Sequence, residues 1–529
     1  MKRLISILLA VCLVFTLASA FAGEPVVVYE SSFGAGDDGW YGRGAVCYHT
    51  TEATLRTEGR SSDWNSPGRA FELAAGTEYD VSVDVLQNEA DEAEFIISME
   101  RSDVNGTGYD RLVTGVAKKG EWATISGSFT AGAYDSYILY IETQDQGGGH
   151  PTLSYEIRNF RLTAPKGIAA PKATESPAPA AEATPVPALS EIPGLKDVYA
   201  DYFDFGAAAP QYAFGLGQTQ LQDLMISQFS ILTPENELKP DSVLDVQTSK
   251  KLAAEDETAV AIRLNAATPL LKFAQKNGIR VHGHVLVWHS QTPEAFFHEG
   301  YDTKKPYVTR EVMLGRLENY IREVLTQTEE QFPGVIVSWD VVNEAIDDGT
   351  HWLRKTSSWY KVVGEDFLNR AFEYARKYAA EGVLLYYNDY STANSAKLMG
   401  ITKLLKQLIP DGNIDGYGFQ MHHDLGWPSI DLMAAAVKQI AGLGLKLRVS
   451  ELDIGVSKNN QENYDKQAKR YKEMLNLMLQ YADQTEAVQV WGLTDNMSWR
   501  TGKYPLLFDS AAKPKKAFFA VIEAAEEFR

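Results

Sequence analysis

Along the larger, C-terminal part of the chain, short apolar runs recur at Tyr212–Leu216, Phe229–Leu232, Ile279–Trp288, Val335–Val342, Val383–Tyr387, Ile414–Gln420, Leu445–Val449 and Val488–Leu493. Rich in β-branched and aromatic residues, they read as strands buried on both faces. Between them the apolar period lengthens to that of a helix lying on a core, as in Leu314–Leu325, Phe367–Ala379 and Tyr464–Tyr481. Eight strands with intervening helices predict a (β/α)8 TIM barrel. A doubly wound open sheet is the alternative, but no Gly-rich phosphate fingerprint opens any helix. The N-terminal part has another rhythm. Tyr79–Val85 and Tyr137–Glu142, and less cleanly Phe95–Met99, alternate polar and apolar residues between Gly-rich turns, which predicts an all-β sandwich, jelly-roll-like in form.

The two rhythms are separated by an Ala/Pro/Thr-rich stretch from Ala164 to Leu189, with prolines at 165, 171, 177, 179, 185 and 187. It holds almost no large apolar side chain and cannot bury enough surface to fold, so it reads as an extended spacer. A multidomain chain follows, with a β-sandwich over Glu24–Thr163 and a barrel over Ser190–Arg529. Residues 1–20 read as an export signal: Lys2 and Arg3, an apolar Leu4–Leu17, and a small-residue site at Ala18-Ser19-Ala20. The expected product is secreted and extracellular, a monomer with no membrane segment after signal cleavage. Cys12 would leave with the signal and Cys47 would remain alone, so no intramolecular disulfide is expected. A formal net charge of −20 argues against nucleic acid or an anionic membrane as partner and suits a neutral polymer.

Candidate chemistry collects where the strand-like runs end. Trp339-Asp340-Val341-Val342-Asn343-Glu344 and Val449-Ser450-Glu451-Leu452-Asp453 each carry a glutamate out of an apolar run. An unpaired buried carboxylate is costly, so both belong at the mouth of a barrel. Two carboxylates brought together there are what glycosidic-bond hydrolysis requires. Asn343 and Glu344 have opposite strand parity, so both can face one pocket only if the chain leaves regular β geometry at that point. Glu451 and Asp453 share parity. Further amides, imidazoles and indoles follow the other runs: Glu235, Asn236 and Lys239; His284, Trp288 and Gln291; Gln420 and His422; Trp491, Trp499 and Arg500. Such sets suit a sugar pocket, where hydroxyls need bidentate polar partners and pyranose faces need flat rings. The alternation His282, His284, with His289 beyond, invites a metal reading. The amide-rich surroundings and the lack of a clustered carboxylate argue against it, so no metal and no cofactor is expected.

These strings closely resemble glycoside hydrolase family 10, best known for endo-β-1,4-xylanases, over about Ser190 to Phe528. The resemblance rests on Glu235-Asn236-Glu237-Leu238-Lys239, Gly283-His284 through Gln291, Trp339 through Glu344, Gln420-Met421-His422, Ser450 through Asp453, and Trp491-Gly492-Leu493-Thr494-Asp495 with Ser498-Trp499-Arg500. It implies a retaining hydrolase of xylan and xylo-oligosaccharides with Glu344 as acid/base and Glu451 as nucleophile. It also implies that Asn343 meets the sugar 2-hydroxyl, that His422 orients Glu451, and that Asp453 tunes that pair. Glu235, Asn236, Lys239, His284, Trp288, Gln291, Gln420, Trp491, Trp499 and Arg500 would bind substrate. One departure is Pro240, where the family commonly has Trp; it bears on the wall beside Lys239. The N-terminal part resembles carbohydrate-binding module family 22 through Gly39-Trp40-Tyr41-Gly42-Arg43-Gly44, Trp64-Asn65, Tyr109-Asp110, Leu139 through Glu142, and Ile157 through Phe160. That likeness puts Arg43, Trp64, Tyr109, Tyr140 and Glu142 in a xylan-binding groove. Tyr140 and Glu142 share parity opposite Leu139 and Ile141, as a groove on one sheet face would need. Activity on a β-glucan, a non-catalytic glycan-binding role and, more distantly, a metal-dependent amidohydrolase on the same barrel are the competing functions.

Overall fold

In a computed structural model the described residues are 26–165 and 189–529, apart from short stretches at 34–37, 44, 51, 61, 104–105, 135, 144–151 and 216–217. The expected signal and nearly all of the expected spacer lie outside them. The chain divides into two compact units, up to Ala183 and from Thr184 onward.

The first unit holds strands β1 (Val26–Ser31), β2 (Tyr41–Arg43), β3 (Val46–His49), β4 (Leu55–Glu58), β5 (Ser66–Phe71), β6 (Glu78–Gln87), β7 (Glu92–Asp103), β8 (Gly106–Lys118), β9 (Ala123–Thr130), β10 (Ser136–Thr143) and β11 (Tyr155–Ala164). They form two antiparallel sheets, β3-β4-β11-β6-β9 with β1 on β11, and β2-β5-β10-β7-β8. The alternation in β6 and β10 places Tyr79, Val81, Val83, Leu139 and Ile141 in the core between the sheets, with Trp40, Phe95, Tyr155 and Phe160. Tyr140 and Glu142 face away from that core.

The second unit contains β12 (Asp204–Ala209), β13 (Ile231–Pro234), β14 (Arg280–Gly283), β15 (Val287–Trp288), β16 (Ile336–Asn343), β17 (Leu384–Asp389), β18 (Gly416–Phe419), β19 (His422–Asp424), β20 (Lys446–Gly455) and β21 (Thr485–Val490). All pair in parallel, and β14–β16 and β12–β21 close the ring. β14 with β15, and β18 with β19, each continue one staircase position, so the ten strands make a closed eight-position barrel.

Two boundaries differ from the sequence reading. The first barrel strand is Asp204–Ala209, whereas Gln211–Phe214 forms a 3-10 turn after it. The strand escapes a hydrophobicity count because it is made of small residues: a Cβ on Gly206 would lie 2.2 Å from the Ile231 carbonyl oxygen. The run Ile279–Trp288 is two short strands rather than one, broken between Gly283 and Val287. Gly283 lets the backbone cross the indole of Trp339, 2.3 Å from where a Cβ would stand.

Candidate active site

The polar strand ends meet at one mouth of this barrel. At Glu344 the backbone turns into the left-handed region, with φ of 55°. This breaks the two-residue alternation, so Asn343 and Glu344 both reach the same network. A non-glycine residue held there costs on the order of 1–3 kcal/mol. The turn is fixed by bonds from Glu344 N–H to the Asn388 carbonyl (2.9 Å) and from Ala345 N–H to the Tyr387 hydroxyl (3.0 Å).

Glu344 accepts hydrogen bonds from Trp288 Nε1–H at 2.9 Å and from Gln420 Nε2–H at 2.9 Å, one on each carboxylate oxygen. Gln420 also donates to Asn343 Oδ1 (3.2 Å), as does Asn388 Nδ2 (3.0 Å), which donates as well to Glu451 Oε1 (2.8 Å). A continuous amide chain therefore links the two glutamates through Gln420, Asn343 and Asn388. On its other oxygen Glu451 meets His422 Nε2 at 3.0 Å, and His422 Nδ1 lies 2.7 Å from Asp453 Oδ2. Asp453, fully buried, also accepts from Trp499 Nε1–H (3.0 Å) and Arg500 (2.6 Å).

The charges follow from these contacts. Burial alone would lower the His422 imidazole, but Asp453 and Glu451 raise it to about 10. Burial alone would raise Glu451, yet His422, with help from Asn388, holds it below the usual glutamate range. Asp453 is likewise held low, against its burial, by His422 and Arg500. The His422 imidazolium thus lies between two carboxylates, and Glu451 is ionised at neutral pH.

Toward the second and third strands, Lys239 is buried, donates to Asn236 Oδ1 (2.9 Å) and stands 5.1 Å from the Trp288 ring centre. Burial lowers its ammonium. Glu235 is pushed up to about 7 by burial and by Glu237. Gln291 donates to Asp241 at 3.3 Å. Trp491 packs edge-on against His284 and His422, and the half-exposed Trp499 meets His422 in a T-shaped pair with ring centres 4.9 Å apart. Arg500, expected to bind substrate, is committed to Asp453, to Asp424 (2.7 Å) and to the His423 carbonyl (2.5 Å).

Several residues around the site were absent from the sequence reading. Asn388 and Asp389 end β17, immediately after the run that the reading closed at Tyr387. Asp389, raised to about 6 by burial against the pull of Lys397, takes a hydrogen bond from Tyr387 and lies 3.0 Å from the buried Lys397 ammonium. The supposed lack of a carboxylate near the histidines is also corrected: Asp340 Oδ2 lies 2.8 Å from His284 Nδ1 and 3.0 Å from His282 Nε2. His282 is lowered to about 4 by burial and by Arg448, and its Nδ1 meets Ser338 at 2.7 Å. Among the described residues, no group of three or more His, Cys, Asp or Glu side chains could hold a metal ion.

In the first unit, the Arg43 guanidinium lies 3.8 Å from the Tyr140 ring centre and pairs with Glu100. Glu142 accepts from Ser98 at 2.6 Å and lies 4.0 Å from Arg111; burial raises its carboxyl. Tyr109 pairs across the strands with Glu100, so both face the same side. Tyr109 is 64% exposed and Trp64 53%, whereas Tyr140 and Glu142 are buried against their neighbours.

A closed parallel barrel with two glutamates joined by an amide chain at its mouth defines a glycosidase class of site, and the relatives agree. Residues 194–524 match glycosyl hydrolase family 10, and residues 26–150 match a carbohydrate binding domain. The chain belongs to glycosyl hydrolase family 10 and carries an N-terminal carbohydrate-binding module. It is 39% identical over 341 residues to endo-1,4-beta-xylanase B of Butyrivibrio fibrisolvens, covering 63% of this chain and 53% of that protein. It is 31% identical to endo-1,4-beta-xylanase A of Thermotoga neapolitana, covering 94% of this chain and 46% of the other. The chain thus spans about half the length of these curated relatives. A solved two-module fragment of the Clostridium thermocellum endo-1,4-beta-D-xylanase 10B, complexed with xylohexaose, superposes with a TM-score of 0.58 at 27% identity, covering 94% of this chain and 97% of that one.

Proposed function

We propose that this protein is a secreted endo-β-1,4-xylanase that cleaves internal xylosidic bonds with retention of configuration. The observation that carries this reading is the pairing of an ionised Glu451, held by His422, with Glu344 along one hydrogen-bonded chain. In the first step a Glu451 carboxylate oxygen attacks the anomeric carbon while Glu344 gives its proton to the departing glycosidic oxygen. In the second, Glu344 takes a proton from water, the water oxygen attacks the same carbon, and Glu451 leaves. Asn343 Oδ1 is already bonded to Asn388 and Gln420, which leaves its Nδ2 for the sugar 2-hydroxyl. Glu235, Asn236, Lys239, His284, Trp288 and Gln291 would hold the sugars on one side of the cleavage point, and Trp491 and Trp499 would form apolar walls.

The first unit is read as the xylan-binding module, with Trp64 and Tyr109 as exposed stacking faces above a polar row of Arg43, Glu100 and Glu142. Xylan, arabinoxylan and mixed-linkage glucan assayed for soluble reducing ends and product length test the reading. Xylan should release xylo-oligosaccharides of mixed length from the start. Release of xylose alone, or faster hydrolysis of the glucan, would overturn it.

A further inference from the structure

Lys397 stands in the first turn of the helix Ser395–Leu408, which Asn394 caps by accepting from the N–H groups of Ala396 (3.0 Å) and Lys397 (3.3 Å). The positive end of a helix disfavours a cation there. The ammonium is also buried, and taking an ion out of water costs several kcal/mol. An apolar side chain of similar volume is often as stable at such a position, so the fold alone gives no reason for the charge. Its contacts do. Lys397 Nζ lies 2.9 Å from Asp348 Oδ1 and 3.0 Å from Asp389 Oδ1. The other oxygen of Asp389 accepts from the Tyr387 hydroxyl, which itself accepts from Ala345 N–H at 3.0 Å. Asp348 belongs to the loop that follows Ala345, and its second oxygen accepts from the Tyr390 hydroxyl. One buried ammonium therefore secures the chain beyond Glu344 at two points, Ala345 and Asp348. Between β16 and that loop stands Glu344 itself, in its left-handed turn. Strained backbone of this kind persists only where the surroundings over-determine it.

We propose that Lys397 is a positioning residue for the proton-transfer steps: through Asp389 and Tyr387 on one arm, and Asp348 on the other, it fixes the backbone that aims the Glu344 carboxyl. This rests on the acid/base role proposed above for Glu344. Trp288 and Gln420 hold the carboxyl end of that side chain, and the two Lys397 arms hold its backbone end. Without the ammonium, Asp348 and Asp389 lose their shared cation and the segment from Ala345 to Asp348 loses both anchors. A shift of about 1 Å in a catalytic group costs on the order of 10²-fold. That cost falls only on steps in which Glu344 transfers a proton. A leaving group such as 2,4-dinitrophenolate departs without one, so its first displacement is spared, while the second still needs Glu344 as base.

Lys397→Met and Tyr387→Phe test this, the second deleting only the hydroxyl between Asp389 and Ala345 N–H. Both are compared with the native enzyme and with Glu344→Ala on xylotetraose and on 2,4-dinitrophenyl xylobioside. Each should lose roughly 10- to 100-fold in kcat/KM on xylotetraose and less than about three-fold on the aryl glycoside. On the aryl glycoside kcat and KM should fall together, because the glycosyl-enzyme accumulates when its hydrolysis slows. An equal loss of kcat/KM on both substrates, as a general loss of folded protein would give, or no loss on either, overturns the positioning role. If Lys397→Met does not fold, Tyr387→Phe decides alone. If Glu344→Ala itself loses equally on both substrates, the acid/base assignment of Glu344 fails instead.

Discussion

Replacing His422 with Asn removes the positive charge beside Glu451 while leaving a polar side chain in its place. The native imidazole contacts Glu451 at 3.0 Å and Asp453 at 2.7 Å, and all three groups are largely or fully buried. Unit charges at such a distance interact by about 6 kcal/mol at an effective dielectric of 20, and removing one partner of a buried pair costs about 3–5 kcal/mol. With the imidazolium gone, burial dominates and raises the Glu451 carboxyl, so Glu451 protonates at a higher pH than in the native protein. The expected result is a fall in kcat/KM on the order of 10²- to 10³-fold at neutral pH. Its acid limb should move upward, as measured on 4-nitrophenyl xylobioside across pH. A loss of the same size with an unmoved acid limb would refute the electrostatic reasoning and leave His422 as a spacer.

Asn388→Asp replaces the donor to Glu451 with a carboxylate at 2.8 Å, so kcat/KM should fall at least ten-fold near neutrality and recover in part on acidification, while the melting temperature reports folding. Glu235 titrates near neutrality, so KM for xylo-oligosaccharides should vary between about pH 6 and 8 in the native enzyme and be flat there in Glu235→Gln. Gly283→Ala would force a methyl into the Trp339 indole and should lower stability by about 1–3 kcal/mol in denaturant unfolding. Trp64→Ala or Tyr109→Ala, both exposed positions, should weaken pull-down on insoluble xylan without changing hydrolysis of short soluble oligosaccharides; equal losses in both assays would argue against a separate binding role.

Much of this site could be read from the sequence because a buried strand gains nothing in packing from a polar cluster at its end. The parity conflict between Asn343 and Glu344 required a break in β geometry, and the break is the left-handed turn at Glu344. Shared parity of Glu451 and Asp453 allowed both to lie on one side of the strand, and His422 bonds both. The first barrel strand was missed for the opposite reason: Gly206 and its alanines pack closely without a hydrophobic signature. Asn388 was passed over because its importance lies in which strands are neighbours. Only with β17 beside β16 can its amide bridge Asn343 and Glu451. Asp340 shows the same limit, since its histidine partners come from the adjacent position of the ring.

Mass spectrometry of the protein after incubation with an activated 2-fluoro-xylobioside tests the central claim most directly, because the fluorine slows the second displacement and lets a glycosyl ester accumulate. The account predicts a single adduct on the peptide that contains Glu451, formed in the native protein and absent in Glu451→Ala. An adduct on Glu344, or turnover with an inverted first-formed anomer and no adduct, would contradict it.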